Sequence, residues 1–369
     1  MAWSGAQDRY PVSIYIAHSM GGGAEAYLQD RIAKRHLALG RATIILRVGG
    51  QHRWQVELIT PDGLITGQTD DLCYLVALLR PITHRRIIYS CAVGFSDPES
   101  LPQVILQLSD DGRHAIEMLF HDYFAISPSY TLLGEDGIFR GVPNASKSHT
   151  QTHQIKGDRG QVIDLAKWQA GWSALISSAK DVVVFSENSA RIVSGVYPSA
   201  SAKLLIEPHK LPTPVPRPVP VSANARRVIG VLGDIGLQKG AGQVGPLAFK
   251  CERDDIGMVI VGNFDPAFPL PPSVPVHGTY RIQDIAQIAA RYGVTDWLIP
   301  SIWPETFSFT THEALATGLP THAFQLGAQG DAVTTAPNGY AITFDTGKDP
   351  VPSLVEHFQT HFSKQRRVA

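Results

Sequence analysis

Short apolar runs alternating with helix-period segments, on both sides of a proline-dense stretch, are the strongest constraint on how this chain folds. Such alternation is the signature of parallel sheets covered by helices. Val12–Ala17 reads as a strand, Glu25–Leu39 as a helix and Ala42–Val48 as a second strand. Arg86–Cys91, His114–Phe120 and Asp181–Phe185 continue the sheet, with Gln55–Thr60 beside them, and Leu72–Leu79, Leu101–Leu108 and Val162–Ser178 read as helices. Pro128–Asp158, rich in Gly, Ser, His and Asn, reads as a long surface loop, a kind of segment that often carries function. Six prolines between Pro208 and Pro220 favour an extended, semi-rigid connector. Beyond it, Arg227–Gly233, Met258–Gly262, Val274–Gly278 and Trp297–Pro300 read as strands of a second sheet, with helices at Ile282–Tyr292, Thr310–Thr317 and Val351–Gln365. The expected division is a first domain over 11–208, a connector over 209–226, a second domain over 227–350 and a terminal helix over 351–369.

A chain of 369 residues exceeds the usual size of one core, which agrees with two domains. With 44% hydrophobic and 18% charged residues and a formal charge of -1, it has the make-up of an ordinary globule and lacks the basic footprint of a general nucleic-acid binder. Cys73, Cys91 and Cys251 are odd in number and form no Cys-x-x-Cys, which argues against a disulfide framework or structural zinc and for a reducing cytoplasm. Met1–Pro11 is polar, without the apolar centre of a signal peptide, and no run of about 18 apolar residues exists to span a membrane.

The chemistry concentrates in Pro300-Ser-Ile-Trp-Pro-Glu-Thr-Phe-Ser-Phe-Thr-Thr-His-Glu-Ala-Leu-Ala-Thr-Gly-Leu-Pro320. A buried strand breaks at a Ser/Pro/Glu turn and resumes as a helix that Gly318 and Pro320 stop. Glu305 lies on the turn and Glu313 about two helical turns further, with the amides of Thr306, Phe307, Ser308, Phe309 and Thr310 between them. Helix N-terminal amides suit phosphate and carboxylates suit vicinal hydroxyls, so one element can hold a hexose, a diphosphate and a ribose in a row.

This stretch resembles the Glu-x7-Glu motif of retaining GT-B glycosyltransferases, the bacterial lipopolysaccharide and exopolysaccharide type known as glycosyltransferase group 1. The likeness includes Pro-Ser-x-Trp-Pro-Glu-Thr before the helix, Glu-Ala-Leu-Ala-x-Gly-Leu-Pro within it and Phe324-Gln-Leu-Gly-Ala328 after it. It implies two doubly wound Rossmann-like domains facing one another across a cleft, with the last helix packing back toward the first domain. Gly233-Asp-Ile-Gly-Leu-Gln-Lys-Gly240 resembles the family's Gly-x5-Lys-Gly loop, where Lys239 and Gly233 would hold the donor diphosphate. The commonest pattern has Arg where this chain has Asp234. Phe120-His-Asp-Tyr-Phe124 matches the family's His-Asp, in which the residue at His121 contacts the donor sugar; Ser127-Pro-Ser-Tyr130 extends that likeness.

His18-Ser-Met-Gly-Gly-Gly-Ala-Glu25 opens the first helix and leaves Gly22 and Gly23 bare for a diphosphate or leaving group. It formally matches a dinucleotide fingerprint, although the second strand lacks the ribose-binding acid, and a hydrolase oxyanion loop, although no Gly-x-Ser-x-Gly nucleophile elbow exists. Its third resemblance, to the Gly-Gly-Gly-x-Glu loop of the GT-B first domain, fits the other motifs. His149 and His153 stand i, i+4 without a third ligand, and no Asp-x-Asp occurs, so the expectation is metal-independent transfer and no cofactor, with a nucleoside-diphosphate sugar as substrate.

Together these features predict transfer of a sugar to a saccharide or lipid-linked saccharide acceptor in cell-surface polysaccharide synthesis. The catalytic set is His121, Glu305 and Lys239, and Glu313 binds ribose. Arg31, Lys34, Arg35 and Arg41, with Arg80, Arg85 and Arg86, offer peripheral contact with anionic lipid at the inner face of a membrane, or else an ordinary solvated face. Asp234 and Gln329-Gly-Asp331, where relatives carry Arg and an acidic-then-basic pair, keep open a non-catalytic sugar-nucleotide-binding or scaffold subunit; an epimerase acting without acceptor is a third reading.

Overall fold

The computed structural model describes residues 10–146, 151–157, 160–211, 213–218 and 226–368. Much of the proline-rich connector, all of the stretch before Tyr10, and His149 therefore lie outside the described residues. Two compact units are present. The first takes the chain to Tyr130, then Pro143–Phe185 and Ser189–His209; the second takes Thr131–Val142, Ser186–Asn188 and the chain from Lys210 onward.

Ten strands belong to the first part of the chain: β1 Val12–His18, β2 Thr43–Val48, β3 Trp54–Thr60, β4 Gly63–Thr69, β5 Arg85–Tyr89, β6 Ala115–Leu119, the short pair β7 Ile155–Lys156 and β8 Val162–Ile163, β9 Asp181–Val184 and β10 Leu204–Ile206. The main sheet runs β10-β9-β6-β5-β1-β2-β3-β4, parallel except where β2, β3 and β4 pair antiparallel. Strand β4 is absent from the sequence reading because it is an edge strand with nearly every side chain exposed, so it has no apolar face to announce it. Helices α1 Gly22–Arg35, α2 Leu72–Leu79, α3 Leu101–Leu108, α4 Leu165–Ser178 and α5 Glu187–Val196 connect the strands. Caps fix two of them: Asp71 accepts from the N–H groups of Cys73 and Tyr74 at α2, and Asp164 from that of Lys167 at α4.

Part of the basic cluster that could face lipid is internal, while Lys34, Arg35 and Arg80 are exposed. Arg31, buried on α1, directs Nη2 at both carboxylate oxygens of Glu117 of β6, at 2.7 and 2.9 Å. Arg86 bridges Glu117 and Asp181, and buried Arg85 donates to the carbonyls of Leu79, Ile82 and Leu108. Arg31 and Arg85 thus satisfy buried acceptors, and Arg86 is engaged by two carboxylates while staying half-buried. Lys34 remains exposed beside Asp30. Among the described residues no helix is long and apolar enough to cross a membrane.

The second unit has a five-stranded, all-parallel sheet of β11 Val228–Leu232, β12 Gly257–Val261, β13 Asp296–Ile299, β14 Thr321–Phe324 and β15 Gly339–Ile342, in the order β12-β11-β13-β14-β15. Helices α6 Ala241–Arg253, α7 Ile285–Tyr292, α8 Phe309–Ala316, α9 Gly327–Thr335 and α10 Val351–Val368 flank it. The expected strand Val274–Gly278 is only an isolated bridge, Val276 to Ile260. Pro275 has no N–H to give, and the His277 N–H and the Pro275 carbonyl both bond Ile260, so the pairing stops at that bridge. Nor is Pro128–Asp158 wholly a surface loop, because Leu132, Leu133 and Phe139 are buried and Phe139 meets Phe344 in the second unit. The resemblance directs the last helix toward the first domain; within the second unit α10 packs on α6 and β15, with Leu354, Phe358 and Phe362 buried.

Trp297 occupies the centre of this unit. Its ring fills the space that a side chain at Gly230 on neighbouring β11 would need: a Cβ there would lie 2.5 and 2.7 Å from ring carbons. Its Nε1–H donates to Thr317 at the end of α8, 3.0 Å away. Gly230→Ala is therefore expected to destabilise the protein by about 1–3 kcal/mol through overpacking. Gly67→Ala on β4, where a Cβ meets nothing, should leave the melting temperature nearly unchanged. Thermal unfolding of both variants checks this, and equal shifts would contradict the packing argument.

Candidate functional site

The carboxyl ends of β11, β12 and β13 converge in the second unit, the place where open parallel sheets collect ligands. Three glycines make the convergence possible. At Gly233 (φ 119°) a Cβ would press on the Thr310 methyl at 3.0 Å, and at Gly262 (φ 134°) it would collide with the Gly233 backbone. Gly240 (φ 87°) lies against the Pro300 carbonyl in the same way. The Gly233–Gly240 loop is thereby laid on the Pro300–Ile302 turn, where the Ile302 N–H donates to the Gln238 carbonyl at 3.1 Å. Asp234 does not supply the missing cation: its Oδ1 accepts from the Asn263 N–H at 3.1 Å and from Nδ2 at 2.8 Å, tying the β11 loop to the β12 loop.

This docking brings Lys239 to Glu305, Nζ to Oε2, at 2.7 Å. Glu305 is 2% exposed, and its Oε1 is buried with no hydrogen-bond partner among the described residues. Its backbone is fixed on both sides: the N–H donates to Gln329 Oε1 at 3.1 Å, and the carbonyl accepts from the Ala328 N–H at 2.9 Å. Gln329, fully buried, donates in turn to the Trp303 carbonyl. Gly327 (φ 61°) permits this contact, since a Cβ there would lie 2.5 Å from the Glu305 nitrogen. Asp331, the other departure from the relatives' pattern, accepts from the Asn188 N–H.

Helix α8 follows. Ser308 is buried at its start and is held by the Thr311 hydroxyl at 2.8 Å, while Phe307 stacks on His312 at 4.4 Å. Thr306 is buried, whereas Phe309 and Thr310 sit half-buried on the first turn, whose N–H groups point outward from the helix end by geometry. On the same helix Glu313, 6% exposed, accepts from the Tyr280 hydroxyl at 2.8 Å. Burial pushes the Glu313 carboxyl above its ordinary value, and the bond from Tyr280 limits the rise. Burial, then the Glu313 charge, raises the Tyr280 hydroxyl. Sequence reasoning missed Tyr280, which also lines a pocket of about 320 Å³ with His277, Thr279, Arg281, Asp284 and Arg291.

The first unit carries the remaining predicted residues. Gly21 and Gly22 have φ of 74° and 80° and nothing within 4 Å of a would-be Cβ, and Gly23 beside them is exposed, so the start of α1 is bare backbone. Glu25 of the glycine-rich string is engaged by Arg47, which also donates to the His18 carbonyl and reaches Glu57. His121 stacks on Phe185 at 4.5 Å and meets Tyr27 edge-on at 5.0 Å. Burial, and next the neighbouring His209, hold its imidazole well below its ordinary value, so the ring is neutral. His153 bonds Ser127 through Nδ1 at 2.7 Å.

No family model matches the chain. A GDP-mannose-dependent alpha-mannosyltransferase of Mycolicibacterium smegmatis (strain ATCC 700084 / mc(2)155) is 29% identical over 136 residues, which is 37% of this chain and only 36% of that relative's length. Solved structures align over nearly the whole chain. Anabaena HepE in complex with UDP-glucose does so at TM-score 0.57 and 15% identity, covering 96% of this chain and 90% of that one. Sucrose-phosphate synthase from Thermosynechococcus elongatus gives 0.59 and 14%, covering 96% and 90%. The fold is GT-B. The lipopolysaccharide outer core galactosyltransferase WaaB is similar at TM-score 0.53 and 11% identity, covering 94% and 89%.

Next to His121 in this GT-B chain, burial pushes the Asp122 carboxyl up to about 7 while it accepts from the Phe124 N–H at 2.8 Å. A carboxyl raised on folding keeps its proton in the native state while the unfolded chain has lost it, so stability falls as pH rises from about 4 to about 7. Asp122→Asn, which retains the acceptor, should flatten that decline in thermal unfolding followed across this range. An unchanged slope would count against a buried, protonated Asp122.

Proposed function

We propose that this protein is a retaining, metal-independent glycosyltransferase that moves a sugar from a nucleoside-diphosphate donor to a saccharide or lipid-linked saccharide acceptor in cell-surface polysaccharide synthesis. The observation that carries this reading is Glu305, a nearly inaccessible carboxylate with one oxygen on Lys239 and the other without a described partner, at the head of a helix whose Glu313 faces Tyr280. A hexose hydroxyl fits the unpartnered oxygen. The amides from Phe307 to Thr310 and the Lys239 ammonium fit a diphosphate, and Glu313 fits the two ribose hydroxyls, with Tyr280 yielding its place to one of them. The mannosyltransferase relative and the sugar-nucleotide complexes among the structural neighbours support a nucleotide-sugar donor.

In the reaction the bond from the anomeric carbon to the diphosphate oxygen breaks as the acceptor oxygen bonds the same face. The acceptor proton passes to the departing phosphate, leaving a nucleoside diphosphate and a glycoside of unchanged configuration. Lys239 balances charge on the leaving group, so catalysis rests on positioning and electrostatics. The resemblance assigns His121 to the transferred sugar and Gly22 and Gly23 to the leaving group; the first unit offers a neutral imidazole and bare backbone at those places. The departures that favoured a non-catalytic subunit, Asp234, Gln329 and Asp331, each hold a loop or helix in place. Nucleotide release from a panel of sugar donors, with and without extract-derived acceptor, separates transferase, scaffold and epimerase.

Glu313→Ala should weaken nucleoside diphosphate and intact donor alike, whereas Glu305→Ala should keep nucleoside diphosphate affinity while reducing transfer, each losing about 1–3 kcal/mol where its contact counts. Calorimetric titration with both ligands tests this, and the reverse pattern would invert the assignment. Lys239→Ala should cut transfer about ten- to a hundredfold, more than it weakens bare nucleoside binding. It also strands the buried Glu305 charge, so part of any lost thermal stability should return in Lys239→Ala with Glu305→Gln. Adding magnesium or manganese to the wild-type enzyme should leave its rate unchanged; strong activation would refute the metal-independent mechanism.

A further inference from the structure

At the opposite end of β13 from Glu305, three histidines gather around a carboxylate. Asp296 opens β13 and is fully buried, as is His322 on adjacent β14. Helix α10 brings His357 and His361, one turn apart, against them. Asp296 Oδ1 lies 3.2 Å from His322 Nε2 and 3.0 Å from His361 Nε2, and the three ligand atoms are all within 4.8 Å of one another.

We propose that Asp296, His322 and His361 form a binding site for a zinc ion that fastens α10 to the sheet. Ligands about 2.0–2.1 Å from a tetrahedral zinc are roughly 3.3 Å apart, so the two distances to Asp296 need only a slight widening to admit the ion. Imidazole nitrogen with one carboxylate oxygen is a donor set that zinc takes readily, and a water would complete the tetrahedron. The supporting contacts are those of a metal centre. His322 Nδ1 lies 2.8 Å from His357 Nε2, so an N–H there donating to His357 leaves Nε2 as the ligating lone pair. Thr295 donates to the second oxygen of Asp296 at 2.6 Å, and Tyr340 stacks on the His322 ring at 4.9 Å, fixing both ligands. Among the described residues, no lysine or arginine pairs with this buried carboxylate, whose ionic partners are imidazoles alone. A divalent cation supplies the missing charge.

The test uses the full chain, stripped with chelator, desalted and titrated with zinc sulfate. One equivalent should bind and raise the melting temperature, and cobalt in its place should show the visible absorption of a tetrahedral site. His361→Gln keeps an N–H for Asp296 but removes the imidazole; it should fold, melt close to the zinc-free wild type and lose at least about tenfold in zinc affinity. Equal zinc binding by wild type and variant would overturn the proposal, as would no stoichiometric uptake by the wild type, leaving a cluster held by hydrogen bonds only. If the variant fails to fold, the wild-type cobalt spectrum decides alone, and its absence refutes the site.

Discussion

Backbone pressed on backbone, with no side chain between, is the constraint on which the second unit depends. Gly262 lies on Gly233, Gly240 on Pro300, and Gly327 on Pro304 and Glu305. At each of these positions φ is positive, so the residue is restricted twice, once by conformation and once by space. The Lys239–Glu305 pair is a consequence of this packing, because neither side chain chooses its place independently of the loops that carry it. A buried carboxylate fixed through its own backbone by Gln329 and Ala328 loses little further freedom on meeting a ligand, which is the physical content of a preorganised site.

The same pair changes how the two residues are understood. The resemblance gives Lys239 to the donor diphosphate and Glu305 to the transferred sugar. In the structure they neutralise each other. Glu313 is likewise occupied, by a tyrosine hydroxyl. On the proposed reading both carboxylates hold partners that a donor would replace: an ammonium that a diphosphate can attract, and a hydroxyl that a ribose can imitate. Removing either partner leaves a desolvated carboxylate, so on that reading the contacts that would bind a donor also support the fold.

Much of the fold could be read from the sequence because it was written in local patterns. Helices Leu72–Leu79 and Leu101–Leu108 have the expected bounds, and the strand before Glu305 and the helix bearing Glu313 are where periodicity and turn residues put them. The failures have physical causes. Strand β4 is exposed on both faces, and Val274–Gly278 is apolar but cannot form a full ladder. Arg31, Arg85 and Arg86 look like surface charge in a sequence, because each has an acceptor distant along the chain: Glu117 is 86 residues from Arg31, Leu108 is 23 from Arg85 and Asp181 is 95 from Arg86. Tyr280 carried no motif; its link to Glu313 spans 33 residues. The Asp296 cluster was invisible for the same reason, since metal ligands were sought at short spacings and His322 and His361 stand 26 and 65 positions away.

Strand β13 joins these observations. Its first residue, Asp296, receives two histidines, and its second, Trp297, fills the gap left by Gly230 and holds Thr317 at the far end of α8. Six residues past its last, Ile299, the chain reaches Glu305. Four residues at roughly 3.3 Å each thus separate a histidine cluster from the turn that leads to Glu305. The helix that carries Glu313 is held at its start by the Ser308–Thr311 contact and at its end by the Trp297 indole. The position of Glu313 therefore depends on core packing as much as on the loop before its helix, which is why Gly230, inside the sheet, is restricted as tightly as Gly233, Gly240 and Gly262.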